Sequence, residues 1–306
     1  MGTRKQRWTR LRLPVPVDAT DAVAALCIEL GAPGVVTGQA DFRRKKKSSR
    51  VTRTTRIEAY FPPDVPRRRL ERSLRSALDD VRTHFSKLDP TRAELAPFET
   101  EDYGRAWRAH FPPIAVGRRL LIAPSWHDVD GAGRHVLRID PGQAFGTGHH
   151  PTTHGCLLEI ERACERTPPA RGLDVGCGSG VLALAMRSLG VKRVAAVDTD
   201  PIAREATGEA ARQNGLGPIA TGPSLQSRRG VYELIVANLF ANLLVDLAPK
   251  LTARLAPGGE LIVSGLLESQ EKDVRAALRA AGLRMRRRRC LSTWVTLVAG
   301  GPAGGA

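Results

Sequence analysis

The stretch Arg171 to Asp200, RGLDVGCGSGVLALAMRSLGVKRVAAVDTD, decides the fold. Gly172 to Val175 is a short apolar run of the kind that forms a buried strand. Asp174-Val-Gly-Cys-Gly-Ser-Gly180 follows, with glycines at alternate positions. Val181, Leu182, Leu184, Ala185 and Leu189 then keep helical spacing up to Gly190, which suits a helix C-terminus. Arg193 to Val197 is a second apolar run, with Asp198 at its tip. The unit is strand, glycine-rich turn, helix, strand, acid.

Each position has a physical reason. Gly176 and Gly178 remove side chains where the backbone turns tightly and touches a ligand. The helix that follows offers unpaired N–H groups and its positive dipole end. The Asp198 carboxylate is placed to accept hydrogen bonds from a ribose diol, so the ligand is a nucleoside. A nicotinamide dinucleotide turn, G-x-G-x-x-G, requires glycine at position 181, where this chain has Val181. An acid two positions before G-x-G-x-G is instead the pattern of S-adenosylmethionine-dependent methyltransferases, with Asp174 near the cofactor's amino group. A dinucleotide enzyme and a ligand-free scaffold of the same fold are the alternatives.

Working outward, 306 residues allow two domains. No run approaches the ~20 apolar residues of a membrane span, and no signal peptide opens the chain. Cys27, Cys156, Cys164, Cys177 and Cys290 form no C-x-x-C pair, which points to a reducing cytoplasm and away from zinc. The net charge is +16, and residues 1–95 hold 21 Lys and Arg against 11 Asp and Glu. Arg43 to Lys47 and Arg67 to Arg69 carry much of that excess. It reads either as arginine-rich surface or as contact with an acidic or nucleic-acid partner.

The front of the chain alternates elements. Strands are expected at 8–17, 34–36, 51–61 and 93–98, and helices at 18–30 and 65–85, the second with Leu70, Leu74, Leu78 and Val81 on one face. The order βαββαβ predicts a ferredoxin-like domain over residues 1–98. Residues 99–113, ETEDYGRAWRAHFPP, read as a linker helix stopped by prolines. Strands at 120–123 and 135–139 precede the loop Asp140 to Thr153, DPGQAFGTGHHPTT, and a helix follows at 156–164. His149, His150 and His154 cluster here, without the third ligand or the glutamate of a zinc hydrolase, so no metal is expected. Beyond Asp200, helices at 202–213, 243–255 and 268–281 alternate with strands at 232–237 and 260–264, and a hairpin over 284–299 closes the domain, residues 114–300. Residues 301–306 read as a tail. Such alternation specifies an α/β domain with a mostly parallel sheet covered on both faces. Gly176, Asp198 and Asn238 all fall at strand C-termini, where such sheets bind ligands.

AFGTGHHPTT at 144–153, DVGCGSGVLA at 174–183, VDTDP at 197–201, VANL at 236–239 and PGGELIVSG at 257–265 resemble the bacterial ribosomal protein methyltransferases that modify the eleventh protein of the large subunit. The segment Trp107 to Trp126 resembles them too. The resemblance covers about residues 100–300. It implies a small ferredoxin-like substrate-recognition domain, a linker and a class I methyltransferase domain with a seven-stranded Rossmann-like sheet. It further implies that Thr153, Gly176, Asp198 and Asn238 bind S-adenosylmethionine, joined by Gly178, with Phe145 and Gly148 shaping the pocket. The implied partner is the ribosomal protein, free or near ribosomal RNA, with no membrane and no metal involved. The implied nucleophile is a lysine ε-amine or the N-terminal α-amine. No general base stands out; the Asn238 side-chain carbonyl is the candidate for orienting the amine, with Phe145 and Phe240 as pocket walls. Alternatives are a lysine of an electron-transfer flavoprotein, a nucleic-acid base amine, or a non-catalytic RNA-binding relic. The front domain departs most from the family, its basic run in particular, and Tyr103 stands where the family often has tryptophan.

Overall fold

A computed structural model describes residues 6–32, 35–37, 54–63, 65–100, 111–140 and 150–301. The chain divides into two compact units, Met1–His110 and Phe111–Ala306.

In the first unit, β1 (Gln6–Pro16), α1 (Thr20–Glu29), β2 (Val35–Thr37), β3 (Thr54–Phe61), α2 (Arg67–His84) and β4 (Glu94–Thr100) follow in turn. Their antiparallel sheet has the order β2-β3-β1-β4, the ferredoxin-like arrangement. Alternation along β1 turns Leu11, Leu13 and Val15 inward, and Ile57, Ala59 and Phe61 do the same on β3. Leu70, Leu74 and Leu78 of α2 pack against them. Each such side chain contributes ~1.5–3 kcal/mol by leaving water.

One expectation fails here. Glu99 and Thr100, read as the start of a linker helix, extend β4 and pair with Arg7 and Gln6. The ladder to β1 overrides a charged local sequence that carries no strand period. Residues 101–110 of that expected linker lie outside the described residues, and Phe111 to Pro113 have no regular structure.

The second unit opens with a three-stranded sheet of β5 (Ile114–Val116), β6 (Leu120–Ala123) and β7 (His135–Arg138). β5 runs antiparallel to β6, and β7 parallel to it. After α3 (Pro151–Ala163) come β8 (Arg171–Val175), α4 (Val181–Ser188), β9 (Arg193–Val197), α5 (Pro201–Gln213), β10 (Ala220–Gly222), β11 (Tyr232–Asn238), α6 (Ala241–Thr252), β12 (Leu255–Leu267), α7 (Glu271–Ala280), β13 (Arg284–Leu291) and β14 (Trp294–Gly300). The seven-stranded sheet runs β10-β9-β8-β11-β12-β14-β13, parallel except for β14. This is the class I methyltransferase topology.

Apolar residues on both faces make these strands read as continuous runs. Leu234, Val236, Ile262 and Val298 join α3 and α4 in one core. Ile235, Ala237, Leu261, Val263 and Leu297 join α6 and α7 in the other. Strand β12 is longer than the expected 260–264, continuing through Pro257-Gly-Gly259 and past Gly265, whose φ of +90° accompanies a break in register.

Candidate functional site

Strand order reverses between β8 and β11, the switch point at which α/β sheets bind ligands. Val175 pairs with Val197 and with Ala237. The next residues on the three strands are Gly176, Asp198 and Asn238, so register alone sets them in one row along the C-terminal edge of the sheet.

The turn after β8 is held tightly. Gly176, Gly178 and Gly180 have φ of +75°, +49° and +82°, a region that side chains rarely adopt. The amides of Gly176 and Cys177 donate to the Val197 carbonyl at 2.8 and 3.2 Å. Gly178 N donates to Asp198 Oδ2 at 3.0 Å, and Asp200 N to Oδ1 at 3.0 Å. Asp174 Oδ2 accepts from Ala183 N, in the first turn of α4, at 3.0 Å. These bonds revise one expectation. Two amides read as waiting for a ligand, Gly178 N and Ala183 N, are taken by the two carboxylates, which shape the turn.

Asp174 is fully buried, and its Oδ1 has no hydrogen-bond partner among the described residues. Burial raises its pKa to about 7, with the nearby Asp198 charge adding to the shift. An unpaired buried carboxylate oxygen is costly unless a donor arrives. Cys177 is inert by contrast, its thiol pushed up to about 12 by burial.

Thr153 stands in the first turn of α3 and is 1% exposed. Asn238 Nδ2 donates to its Oγ1 at 3.4 Å, so two residues far apart in sequence meet at the site. Gly155 lets α3 press onto β14, since a Cβ there would lie 2.2 Å from Thr296 Oγ1. His150 caps α3: Thr152 N donates to its Nδ1, and its ring meets Trp294 edge-on at 4.9 Å. Among the described residues no group of three His, Cys, Asp or Glu is placed to hold a metal. Phe145, Gly148 and His149 lie outside the described residues.

Sequence reasoning missed Thr207. Fully buried on α5, it donates to Cys177 Sγ at 3.2 Å and the Gly178 carbonyl at 3.3 Å, bracing the turn from below. The signal was present: Ala203, Thr207 and Ala211 form a small-residue stripe at spacing four, the mark of a helix pressed close to a neighbour. Leu239, lying against Gly176, was missed as well.

A family model described as ribosomal protein L11 methyltransferase (PrmA) matches residues 7–301. The chain is 37% identical over 303 residues to the ribosomal protein L11 methyltransferase of Pelobacter propionicus, covering 95% of this chain and 97% of the relative. It is 39% identical over 248 residues to that of Symbiobacterium thermophilum, covering 79% and 80%. Among solved structures it is similar to the ribosomal protein L11 methylase of Lactobacillus delbrueckii subsp. bulgaricus, at 34% identity and a TM-score of 0.58, over 63% of this chain and 98% of that one.

Proposed function

Because the chain belongs to the ribosomal protein L11 methyltransferase family, we propose that it methylates amines of ribosomal protein L11: lysine ε-amines, the N-terminal α-amine, or both. The methyl donor is S-adenosylmethionine, which supplies a methyl group already activated on a sulfonium centre. The observation that carries the reading is the row Gly176, Asp198, Asn238 at the switch point, beside a buried carboxylate with one unpaired oxygen.

The residues fit that cofactor. Asp174 Oδ1 lacks a donor among the described residues, and the cofactor's ammonium is one. Each Asp198 oxygen accepts one backbone N–H and keeps a lone pair for a ribose hydroxyl. Gly178 keeps the backbone bare where the cofactor passes, while Gly176 makes room for Leu239 beneath the turn. In this reading Thr153 and Asn238, joined by their hydrogen bond, also belong to the cofactor's site, together with Phe145 and Gly148.

Asn238 has a second task. Its amide nitrogen is engaged with Thr153, which leaves Oδ1 to accept from the incoming amine and point the lone pair at the methyl group. A lysine must first lose a proton, at a cost of ~5 kcal/mol at pH 7 from a reference pKa of ~10.4. A site lined by apolar groups beside a sulfonium lowers that cost, so no strong base is required.

The substrate is met free or near ribosomal RNA, in the cytoplasm. No helix among the described residues is long and apolar enough to cross a membrane. The test is transfer of a tritiated methyl group from S-adenosylmethionine onto purified ribosomal proteins and, separately, ribosomal RNA. Label in the L11 band supports the reading. Label in the RNA with none in the L11 band overturns it.

A further inference from the structure

Strand β11 has a large, exposed apolar side chain beyond each end. Val231, just ahead of the strand, is 44% exposed, and Phe240, two residues past Asn238, is 53% exposed. Leu243, 41% exposed, stands in the first turn of α6, three residues after Phe240. Phe240 and Leu243 belong to neither core of this unit. Their neighbours do turn inward: Leu239 lies against Gly176, and Leu244 is fully buried.

Folding does not ask for an aromatic ring at this place. Phe240 is the N-cap of α6, and it serves through its carbonyl, which accepts from Leu244 N at 3.0 Å. Its side chain makes no cap bond, where serine, threonine or aspartate would. The backbone at Phe240 is extended, with φ of −58° and ψ of 148°. Phe240 thus sits just past the C-terminal end of β11, two residues beyond Asn238, with its side chain open to solvent while Leu239 lies against Gly176.

We propose that Phe240, with Leu243 three residues on, is the ledge that receives the amine-bearing side chain of the protein substrate and its flanking residues, and so steers the amine to Asn238. The inference rests on the methyltransferase reading above. Position and chemistry choose the occupant. A lysine presents an aliphatic stem that packs on apolar surface while its head reaches a polar group, and Asn238 lies two residues away from the ring. Removing the stem from water also disfavours the ammonium, which helps the amine lose its proton. Phe240 is a positioning residue in this account, since the acceptor for the amine is Asn238.

The experiment compares wild type, Phe240→Ala, Phe240→Leu and Val231→Ala, with purified ribosomal protein L11 as substrate. Steady-state kinetics gives kcat and KM, calorimetry gives the cofactor Kd, and thermal melts report the fold. Phe240→Ala should lower kcat/KM by about ten- to a hundredfold, the scale of one lost apolar contact that also orients. Its cofactor Kd and melt should stay at wild-type values. Phe240→Leu should recover most of the loss, and Val231→Ala should show none. Unchanged kcat/KM in Phe240→Ala overturns the ledge, as does an equal loss in Val231→Ala. A parallel loss of cofactor affinity also overturns it, because the ring then belongs to the cofactor's site. A wild type that binds the cofactor yet leaves ribosomal protein L11 unlabelled overturns the substrate reading and the ledge with it.

Discussion

The glycine turn after β8 and the edge strand β13 are both charged, and they use charge in opposite ways. Strand β13 carries Arg286 to Arg289 in a row, and four glutamates answer them. Glu159 accepts from Arg287 and Arg289, Glu260 from Arg286 and Arg287, and Glu268 and Glu271 from Arg288. Every guanidinium in the row is matched within the domain. Around the turn, two carboxylates are supplied with backbone amides but, among the described residues, with no cationic partner, and one oxygen of Asp174 has no partner there. Matched charge ties elements together; charge left unmatched inside a fold marks where something else must come. Composition alone does not separate these two uses of charge.

The comparison would break most completely at Gly178. Valine there meets a φ of +49°, which a β-branched residue adopts only under strain, and adds carbons beside Asp198. Gly178→Val should abolish cofactor binding by calorimetry while the melt stays cooperative. Normal binding would make the turn purely structural.

Asp174 comes next, and its sign can be worked out. Its carboxyl ionises at an ordinary value of 3.8 when unfolded and near 7 when buried in the fold. Between those values the native state holds the extra proton, so stability should fall as pH rises from about 4 to about 7 and level off above. Three units amount to at most ~4 kcal/mol. Denaturant melts across that range should show the decline, and Asp174→Asn should flatten it. A cationic cofactor favours the ionised form, so wild-type affinity should rise with pH below 7, by up to about tenfold per unit. A pH-independent Kd would mean that Oδ1 does not meet the cofactor's ammonium.

Asp198→Ala should weaken the cofactor by ~1–3 kcal/mol, the scale of charge-assisted hydrogen bonds. The variant also frees Gly178 N and Asp200 N, so part of the loss comes from a looser turn. Asp198→Asn, which keeps one acceptor oxygen, should lie between. Unchanged affinity in Asp198→Ala would remove the ribose role.

Strand β13 supplies the reverse case. Glu159 is almost fully buried between Arg287 and Arg289, which are themselves partly exposed. Glu159→Gln should cost about 1–3 kcal/mol in a urea melt, less than a fully buried pair because solvent still reaches the arginines. Cofactor Kd should remain within about twofold, since matched charge does no binding here. A large loss of affinity would show that α3, which carries both Glu159 and Thr153, transmits the change to the site.

Much of this was legible from the chain alone. Alternation in β1 and β3, the spacing of Leu70, Leu74 and Leu78, and the glycine turn each obey one strong period, and each element lies where it was expected. The three-residue strands β5 and β10 are too short to carry any period. The parallel pairing of β6 with β7 depends on contacts that no local pattern records. The site was legible as a set of strand ends, because the sheet rule concerns strand ends and not distances. What stayed hidden was the inward traffic: Asp174 capping α4, Thr207 bracing Cys177, Asn238 engaging Thr153. Each joins residues through a side chain whose direction is set only after the strands are paired.

The smallest effect concerns the basic run Arg43 to Lys47, which lies outside the described residues. Five cations in a row with no acid among them differ from the arginines of β13, where glutamates are at hand. If the run meets phosphates near the substrate, each contact contributes a salt slope of ~0.7–0.9. Changing all five residues to serine should leave activity on free ribosomal protein L11 within about twofold, because screened surface charge contributes little to contacts made elsewhere. Association with RNA-bound substrate should weaken, with a slope smaller by about two to four. Replacing Arg288 with alanine should leave that slope unchanged, since its charge is already answered by Glu268 and Glu271. Titrations of both variants against both substrates, at several salt concentrations, make the comparison. Equal slopes for wild type and the serine variant would put the front of the chain in the same class as β13, as charge that binds nothing outside the protein. A large loss on the free protein would instead assign the run to recognition of L11 itself.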